Sequence, residues 1–165
     1  MKYLVAYMSV SGNTQKIAEA IHKELPEDSE IKPINELDSL EGFDFYFIGF
    51  PVHQYGAPKV VQEFMTKHAK GKKVALFVTH ATGSQMEILE GQLNKCKEVA
   101  KEAELLGLYN CQGELSEQIT NHMKNHENPQ LRKFADMRKF TVGRPNEEEI
   151  NMAGEFAKKI ISKLK

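Results

Sequence analysis

Five short hydrophobic runs alternate along the chain with longer amphipathic stretches, and this alternation determines the fold class. The runs occupy residues 3–8, 30–34, 44–50, 73–79 and 105–111. The first, third and fourth runs contain VAY, FYFIGF and VALFV, whose consecutive apolar residues indicate strands that are buried on both faces. Such strands occur in parallel sheets that helices cover on both sides. The sequence therefore predicts an α/β fold with right-handed crossovers.

The stretches between the runs carry apolar residues three and four positions apart, which is the spacing of one helix face. The four stripes are Ile17, Ala18, Ile21 and Leu25; Val60, Val61, Phe64 and Met65; Met86, Leu89, Leu93, Cys96, Ala100 and Ala103; and Ile150, Ala153, Ala157, Ile160 and Leu164. Residues 116–144 fit least well, because Pro129 and residues 143–145 interrupt them. We predict one or two irregular helices there, near the sheet edge, as an insertion in a single domain of residues 1–165.

Charge and hydropathy argue against two classes of partner. The formal net charge of the 165 residues is −1, which gives no strong field to attract nucleic acid. The mean hydropathy is −0.48 and the longest apolar stretch, residues 45–52, is too short to cross a bilayer, so no membrane partner is expected. Cys96 and Cys111 form no Cys-x-x-Cys motif, which predicts a cytoplasmic protein without a disulfide framework or a zinc site.

One histidine pair has the spacing of metal ligands. His122 and His126 are four residues apart and would share a face of a helix. No third ligand is obvious and the H-E-x-x-H order is absent, so a pair of solvent-facing histidines is the interpretation that we prefer. No metal site is predicted.

Small polar residues separate the first strand from the first helix. They are Ser9, Ser11, Gly12, Asn13 and Thr14. The first turn of a helix has unpaired N–H groups and a partial positive charge, and glycine lets the backbone approach a ligand closely. The loop is therefore either a phosphate socket or an ordinary helix N-cap, and the loop alone does not decide between them.

Other nucleotide-binding loops have residue requirements that this chain does not meet. The dinucleotide motif G-x-G-x-x-G needs three glycines, and only Gly12 is present in the loop. The Gly71–Lys72 pair has no matching upstream glycine and precedes a strand, so it does not form the phosphate-binding P-loop of nucleoside triphosphatases. A phosphatase of similar topology needs a cysteine in the loop, and a receiver domain needs acidic residues near the end of the first strand; both are lacking.

Several stretches resemble the flavodoxin family. SVSGNTQKIAEAI is similar to the flavodoxin phosphate loop, S/T-x-S/T-G-x-T followed by a helix. IGFPVHQYGAPKVVQEFM and KVALFVTHATGSQ resemble the two loops that border the flavin ring, and CQGEL and VGRPNEEEINMAGEFAKKI extend the resemblance to the C-terminal half. The resemblance implies flavin mononucleotide (FMN) as cofactor and a doubly wound, five-stranded parallel sheet of order 2-1-3-4-5. In such a sheet the loops after strands 1, 3 and 4 converge where the strand order reverses.

The resemblance also implies which residues hold the cofactor. The phosphate loop comprises Ser9, Val10, Ser11, Gly12, Asn13 and Thr14. The ring loops, residues 51–56 and 79–84, contribute Pro51, Val52, His53, Gln54, Tyr55 and Gly56 from the first and Thr79, His80, Ala81, Thr82 and Gly83 from the second. No catalytic residue is implied.

Four residues of the ring loops have more specific expected roles. His53 and His80 either stack on the flavin or donate to it, or they are ordinary loop histidines that face water. Tyr55 is a candidate stacking partner. The peptide beside Gly56 either reverses its orientation when the flavin gains one electron, since glycine tolerates both signs of φ, or belongs to a plain turn.

The chain also departs from typical flavodoxins. It has no Trp, residues 79–86 contain no Phe, Trp or Tyr, and neither ring loop contains Asp or Glu, whereas flavodoxins are commonly aromatic and acidic around the cofactor. We predict an FMN-binding carrier that moves electrons between redox partner proteins, a reductase and an acceptor. The alternatives are an NAD(P)H-dependent flavin or quinone oxidoreductase of the same fold and a binding module that has lost the flavin.

The 116–144 segment is the candidate docking surface for such partners. It is not part of the minimal flavodoxin plan, and it carries Lys124, Arg132, Lys133, Arg138 and Lys139 together with Phe134 and Phe140. The simpler interpretation is that the aromatic residues pack in the core and the basic residues form a solvated face.

Overall fold

The computed structural model describes residues 1–83 and 86–165, and its centre is a five-stranded parallel sheet. The strands are β1 (Tyr3–Tyr7), β2 (Glu30–Pro33), β3 (Phe45–Pro51), β4 (Lys73–His80) and β5 (Glu104–Gln112). Their order is β2-β1-β3-β4-β5, and every neighbouring pair is parallel. The predicted α/β class and the predicted strand order are confirmed. Each strand begins and ends within one residue of its predicted bounds.

Seven helices surround the sheet in the part of the chain that the structure describes. They are α1 (Asn13–Lys23), α2 (Lys59–His68), α3 (Ile88–Lys97), α4 (Glu117–Lys124), α5 (Pro129–Ala135), α6 (Arg138–Thr141) and α7 (Glu147–Leu164). Helices α1 and α7 cover one face of the sheet, and α2 and α3 cover the other. None of the helices in residues 1–83 and 86–165 is long and apolar enough to cross a membrane.

Buried side chains alternate between the two faces of the inner strands. In β1, Leu4 and Ala6 belong to the core beneath α2 and α3, whereas Val5 belongs to the core beneath α1 and α7. Both faces are covered, and this is why the strands consist of continuous apolar runs. Two residues of the predicted helix stripes are exceptions, because Val60 in the first turn of α2 and Met86 before α3 remain 46% and 39% exposed.

The 116–144 segment forms the three short helices α4, α5 and α6, where the sequence predicted one or two. Pro129 does not interrupt a helix; it begins α5, since a proline in the first turn loses no helical hydrogen bond. The side chain of Asn128 caps this helix by accepting from the N–H of Gln130 at 2.9 Å. Phe140 is 60% exposed, so the interpretation that both aromatic residues pack in the core is wrong for Phe140.

The connections between strands place a crevice at one edge of the sheet. The chain passes from β1 to the edge strand β2 and returns to β3 on the opposite side of β1, so the strand order reverses between β1 and β3. Helices α1 and α2 therefore leave the carboxyl ends of β1 and β3 toward opposite faces. In open α/β sheets, ligands bind in the crevice that such a reversal creates.

Candidate functional site

The loops after β1, β3, β4 and β5 meet in this crevice, which encloses about 230 Å³. Eleven of the seventeen predicted cofactor residues line it: Ser9, Val10, Ser11, Asn13, Thr14, Pro51, Val52, His53, Thr79, His80 and Ala81. The other six belong to the same loops but do not line the cavity: Gly12, Gln54, Tyr55, Gly56, Thr82 and Gly83. The last residue of the predicted 79–84 loop, Ser84, lies outside the described residues.

The loop after β5 forms a wall of the crevice that the sequence reasoning missed. The additional lining residues are Met8, Pro58, Gly113, Glu114, Leu115, Ser116 and Ile119. A signal for the wall was present in the sequence, because the run CQGEL follows the strand that pairs with β4, and neighbouring parallel strands end at the same edge of a sheet.

The loop after β1 directs backbone donors toward one point. Gly12 is the N-cap residue of α1 and has a φ of +92°, a conformation that glycine adopts without strain. The Ser9 hydroxyl oxygen accepts from the N–H groups of Gly12 at 3.1 Å and Gln15 at 3.4 Å. The first turn of α1 contains no acidic residue. The Ser9 hydroxyl satisfies both donors in this structure, and an anionic ligand at the positive end of α1 would take its place as their acceptor.

Thr14 connects the phosphate loop to the end of β4. Its side chain is buried, and its hydroxyl oxygen lies 2.8 Å from the hydroxyl oxygen of Thr79. A hydroxyl donates one hydrogen bond and accepts others. When Thr79 donates to Thr14, the proton of Thr14 stays available for a ligand in the crevice.

The loop after β3 is a strained tight turn. His53 and Gly56 exchange two backbone hydrogen bonds, of 2.8 and 3.1 Å, around Gln54 and Tyr55. The φ angles of Gln54 and Tyr55 are +48° and +69°, and two positive values define a type I′ turn. Gly56 does not have a positive φ, and the left-handed residues of this turn are Gln54 and Tyr55. Tyr55 is 58% exposed and is not among the residues that line the crevice, and its stacking on the flavin ring stays a prediction.

His80 is neither a free donor to a ligand nor a solvent-facing loop residue. It is 6% exposed, its Nδ1 donates to the carbonyl of Thr82 at 2.8 Å, and its Nε2 lies 2.9 Å from the side-chain amide of Asn110. Burial lowers the pKa of His80 below its ordinary value of 6.5, although both hydrogen bonds oppose this shift. The imidazole is therefore neutral near pH 7, and its nitrogen atoms hold the loop in place.

The loop after β4 is fixed through four consecutive carbonyl groups. The carbonyls of Thr79 and His80 accept from the N–H groups of Val52 and Gly113, both at 2.8 Å. The carbonyls of Ala81 and Thr82 accept from the side chains of Gln112 and His80 at 3.0 and 2.8 Å. In addition, the buried Thr82 hydroxyl donates to Gln92 at 2.8 Å, on the side of α3. This part of the wall is preorganised by bonds to Val52 directly after β3, to the end of β5 and the residue that follows it, and to α3.

Glu114 brings a carboxylate to the crevice from the loop that the sequence reasoning missed. Arg138 Nη2 donates to its Oε1 at 3.3 Å, and the N–H of Gly143 donates to its Oε2 at 3.0 Å. Arg138 Nε is buried and has no hydrogen-bond partner among the described residues. The negative charge of Glu114 is thus compensated within the protein.

The histidine pair of the 116–144 segment lies away from the crevice. His122 is in α4, but His126 follows the end of that helix, and the two ring centres are 6.0 Å apart. His126 Nδ1 accepts from the N–H of Asn128 at 3.0 Å. Within residues 1–83 and 86–165, no group of three His, Cys, Asp or Glu side chains is arranged to hold a metal ion.

Comparisons of the sequence identify relatives over nearly the whole chain. A model of the flavodoxin domain matches residues 4–158. A flavodoxin-like domain-containing protein, BilS of Clostridioides difficile, is 31% identical over an alignment of 173 residues, gaps included. The alignment covers 99% of this chain and 98% of that protein. An uncharacterized protein of Methanocaldococcus jannaschii is 28% identical over 164 residues, covering 98% and 99% of the two chains.

Comparisons of the structure identify the same fold in flavodoxins. Oxidised flavodoxin 2 of Bacillus cereus superposes with a TM-score of 0.66 at 19% identity, covering 99% of each chain. A flavoprotein of Lactobacillus acidophilus, solved in complex with FMN, has a TM-score of 0.53 at 22% identity and covers 66% of this chain and 92% of its own. At sequence identities of 19% and 22%, these two superpositions show a shared fold.

Proposed function

This chain belongs to the flavodoxin domain family, and from that premise we propose that it binds FMN in the crevice and carries electrons between partner proteins. The observation that supports this most strongly is the anion-binding geometry of the loop after β1. There the N–H groups of Gly12 and Gln15 meet at the Ser9 hydroxyl oxygen, in a first helical turn without acidic residues. A phosphate group supplies the oxygen acceptors that these donors suit.

The phosphate and the ring would use different parts of the crevice. The backbone of residues 9–14 and the hydroxyl of Thr14 would bind the phosphate. The apolar side chains of Met8, Val52 and Ile119 line the cavity and would contact the ring. Bound flavin supplies the capacity to accept and donate electrons one or two at a time. The chain's own contribution is to hold the cofactor in place and exclude water from part of it.

The crevice holds about 230 Å³, less than the roughly 300–1,000 Å³ of pockets that enclose a whole small molecule. A flavin bound here would keep one edge exposed. That edge is where a carrier exchanges electrons with another protein.

Exposed apolar side chains around the crevice support contact with partner proteins. Two of the exposed large hydrophobic residues in the described chain, Val10 and Ile119, line the crevice, and a third, Tyr55, lies in the loop after β3. Exposed apolar side chains beside a binding site are a feature of interaction surfaces.

The two cysteines support our assignment of the protein to the cytoplasm. Cys96 and Cys111 are buried free thiols, and burial raises the pKa of each to about 12. Neither forms a disulfide, which suits a reducing compartment.

Titration of the cofactor-free protein with FMN, followed by flavin fluorescence, tests the proposal. We expect saturable quenching with one FMN per chain. The loaded protein, once reduced chemically, should pass electrons to an acceptor but should not consume NAD(P)H steadily with a quinone unless a reductase is added. Failure to bind flavin would identify a module that has lost the cofactor, and steady NAD(P)H consumption alone would identify an oxidoreductase.

A further inference from the structure

Glu114 is the meeting point of the crevice and the 116–144 segment. Its N–H donates to the carbonyl of Arg144 at 2.8 Å, and its carboxylate accepts from Arg138 and from the N–H of Gly143. The neighbouring N–H of Leu115 donates to the buried hydroxyl of Thr141 at 2.9 Å. These four contacts hold the backbone at Glu114 in a fixed position relative to the region around α6.

The carbonyl of Glu114 in turn holds the loop after β1. Asn13 Nδ2 donates to this carbonyl at 2.9 Å and also reaches the Ser11 hydroxyl oxygen at 3.2 Å. Ser11 and Asn13 flank Gly12, so one amide group spans the centre of the predicted phosphate loop. Gly113 lets the two loops approach, because a Cβ at this position would lie 2.7 Å from Asn13 Nδ2.

We propose that Asn13 and Glu114 are positioning residues that fasten the phosphate loop to the 116–144 segment, so that this segment helps to set the affinity for FMN. The inference rests on the proposed function, because it concerns how the site for the phosphate is held. A loop that is ordered before the ligand arrives loses less conformational entropy on binding. Releasing Asn13 from Glu114 would make the N–H donors of residues 9–14 adopt their binding positions only when phosphate binds.

Riboflavin provides the control ligand, because it has the ring and the ribityl chain of FMN but no phosphate. A residue that positions the phosphate loop affects FMN alone, whereas a residue that merely stabilises the crevice affects both ligands. The variants are Asn13→Ala, Glu114→Ala, Glu114→Gln and the double variant Asn13→Ala/Glu114→Ala. Glu117→Ala removes a neighbouring exposed carboxylate in the first turn of α4 and serves as the matched control.

Dissociation constants for FMN and riboflavin, measured by fluorescence quenching, give the test. We expect Asn13→Ala and Glu114→Ala each to weaken FMN binding about 2- to 13-fold, the effect of one net hydrogen bond, and to leave riboflavin binding unchanged. Glu114→Gln keeps an acceptor for Gly143 and should lose less. The double variant should lose no more than the weaker-binding single variant. Asn13→Ala removes the bond to the Glu114 carbonyl, and Glu114→Ala loosens the attachment of that same backbone to the 116–144 segment, so both act on one series of contacts. Glu117→Ala should match the wild type.

Three results would overturn the inference: unchanged FMN affinity in both single alanine variants, equal losses for FMN and riboflavin, or additive losses in the double variant. Failure of the proposed function has a different signature. In that case the wild-type protein itself binds neither flavin, and the inference is rejected with it.

Discussion

At the scale of single residues, Thr14 shows most clearly how one side chain serves two loops. Its buried hydroxyl contacts Thr79 at 2.8 Å while its backbone belongs to the first turn of α1. We predict that Thr14→Ala weakens FMN binding by about 0.5–1.5 kcal/mol, the net contribution of one hydrogen bond. Thr14→Ser keeps the hydroxyl and should bind nearly as the wild type does. Fluorescence titration checks this, and equal losses in both variants would show that the methyl group matters instead.

His80 makes stability depend on pH in a predictable direction. An unfolded chain protonates this residue near pH 6.5, and burial in the folded protein shifts the pKa lower. The unfolded state therefore binds more protons below pH 6.5, so the contribution of neutral His80 to stability is complete above that pH and is lost as the pH falls toward the folded pKa.

We predict that His80→Gln shows a smaller loss of unfolding free energy than the wild type between about pH 7.5 and pH 5.5. Urea unfolding at a series of pH values measures this. Parallel profiles for wild type and His80→Gln would contradict the account.

At the scale of single elements, the type I′ turn after β3 carries backbone strain. An L-residue in the left-handed region costs about 1–2 kcal/mol, and glycine there costs about 0.5–1 kcal/mol through its flexible unfolded state. Tyr55 has a φ of +69° and is 58% exposed, so its side chain contributes little burial. We predict that Tyr55→Gly raises the free energy of unfolding by about 0.5–1 kcal/mol. Tyr55→Ala keeps the strain and should not; urea denaturation that gave equal stabilities for both would argue against strain in the turn.

The helices and strands could be predicted from the sequence wherever burial in the core determines their pattern of apolar residues. The inner strands lie between two helical layers, so their continuous apolar runs located β1, β3 and β4 within one residue. The loop after β5 was not assigned to the crevice, although its place after the strand next to β4 indicated that edge of the sheet. Its contact with the phosphate loop has no local signal, because Asn13 and Glu114 are 101 residues apart. The three short helices of the 116–144 segment depend on single capping residues such as Asn128, which a search for periodic apolar residues does not detect.

At the scale of the whole molecule, the 116–144 segment sets the charge beside the crevice. Six basic and three acidic residues give it a net charge of +3, whereas the whole chain has −1. Arg138 and Arg144 are paired with Glu114 and Glu149, and Arg132 Nη1 donates to two backbone carbonyls. Lys133 and Lys139 are exposed and take no part in these contacts. Substituting them therefore tests whether the positive charge of the segment guides docking.

We predict that Lys133→Glu/Lys139→Glu changes association with electron acceptors and leaves FMN affinity unchanged. Small acceptors of opposite charge report the field at the exposed flavin edge, since charged residues steer charged reactants at low salt. The rate of reduction of ferricyanide, an anion, should fall relative to that of hexaammineruthenium(III), a cation. A rate ratio equal to that of the wild type would place these lysines too far from the edge to matter.

The central claim is that residues 9–14 bind the phosphate of FMN, and phosphorus NMR of the loaded protein tests it most directly. A phosphate monoester has a second pKa of about 6, so the signal of free FMN moves with pH between about pH 5 and pH 8. Backbone N–H donors at the start of α1 favour the dianion and should hold it in that state. The account predicts a bound signal that is displaced from that of free FMN and does not move across this range. A signal that titrates as free FMN does, while the flavin fluorescence is quenched, would contradict it.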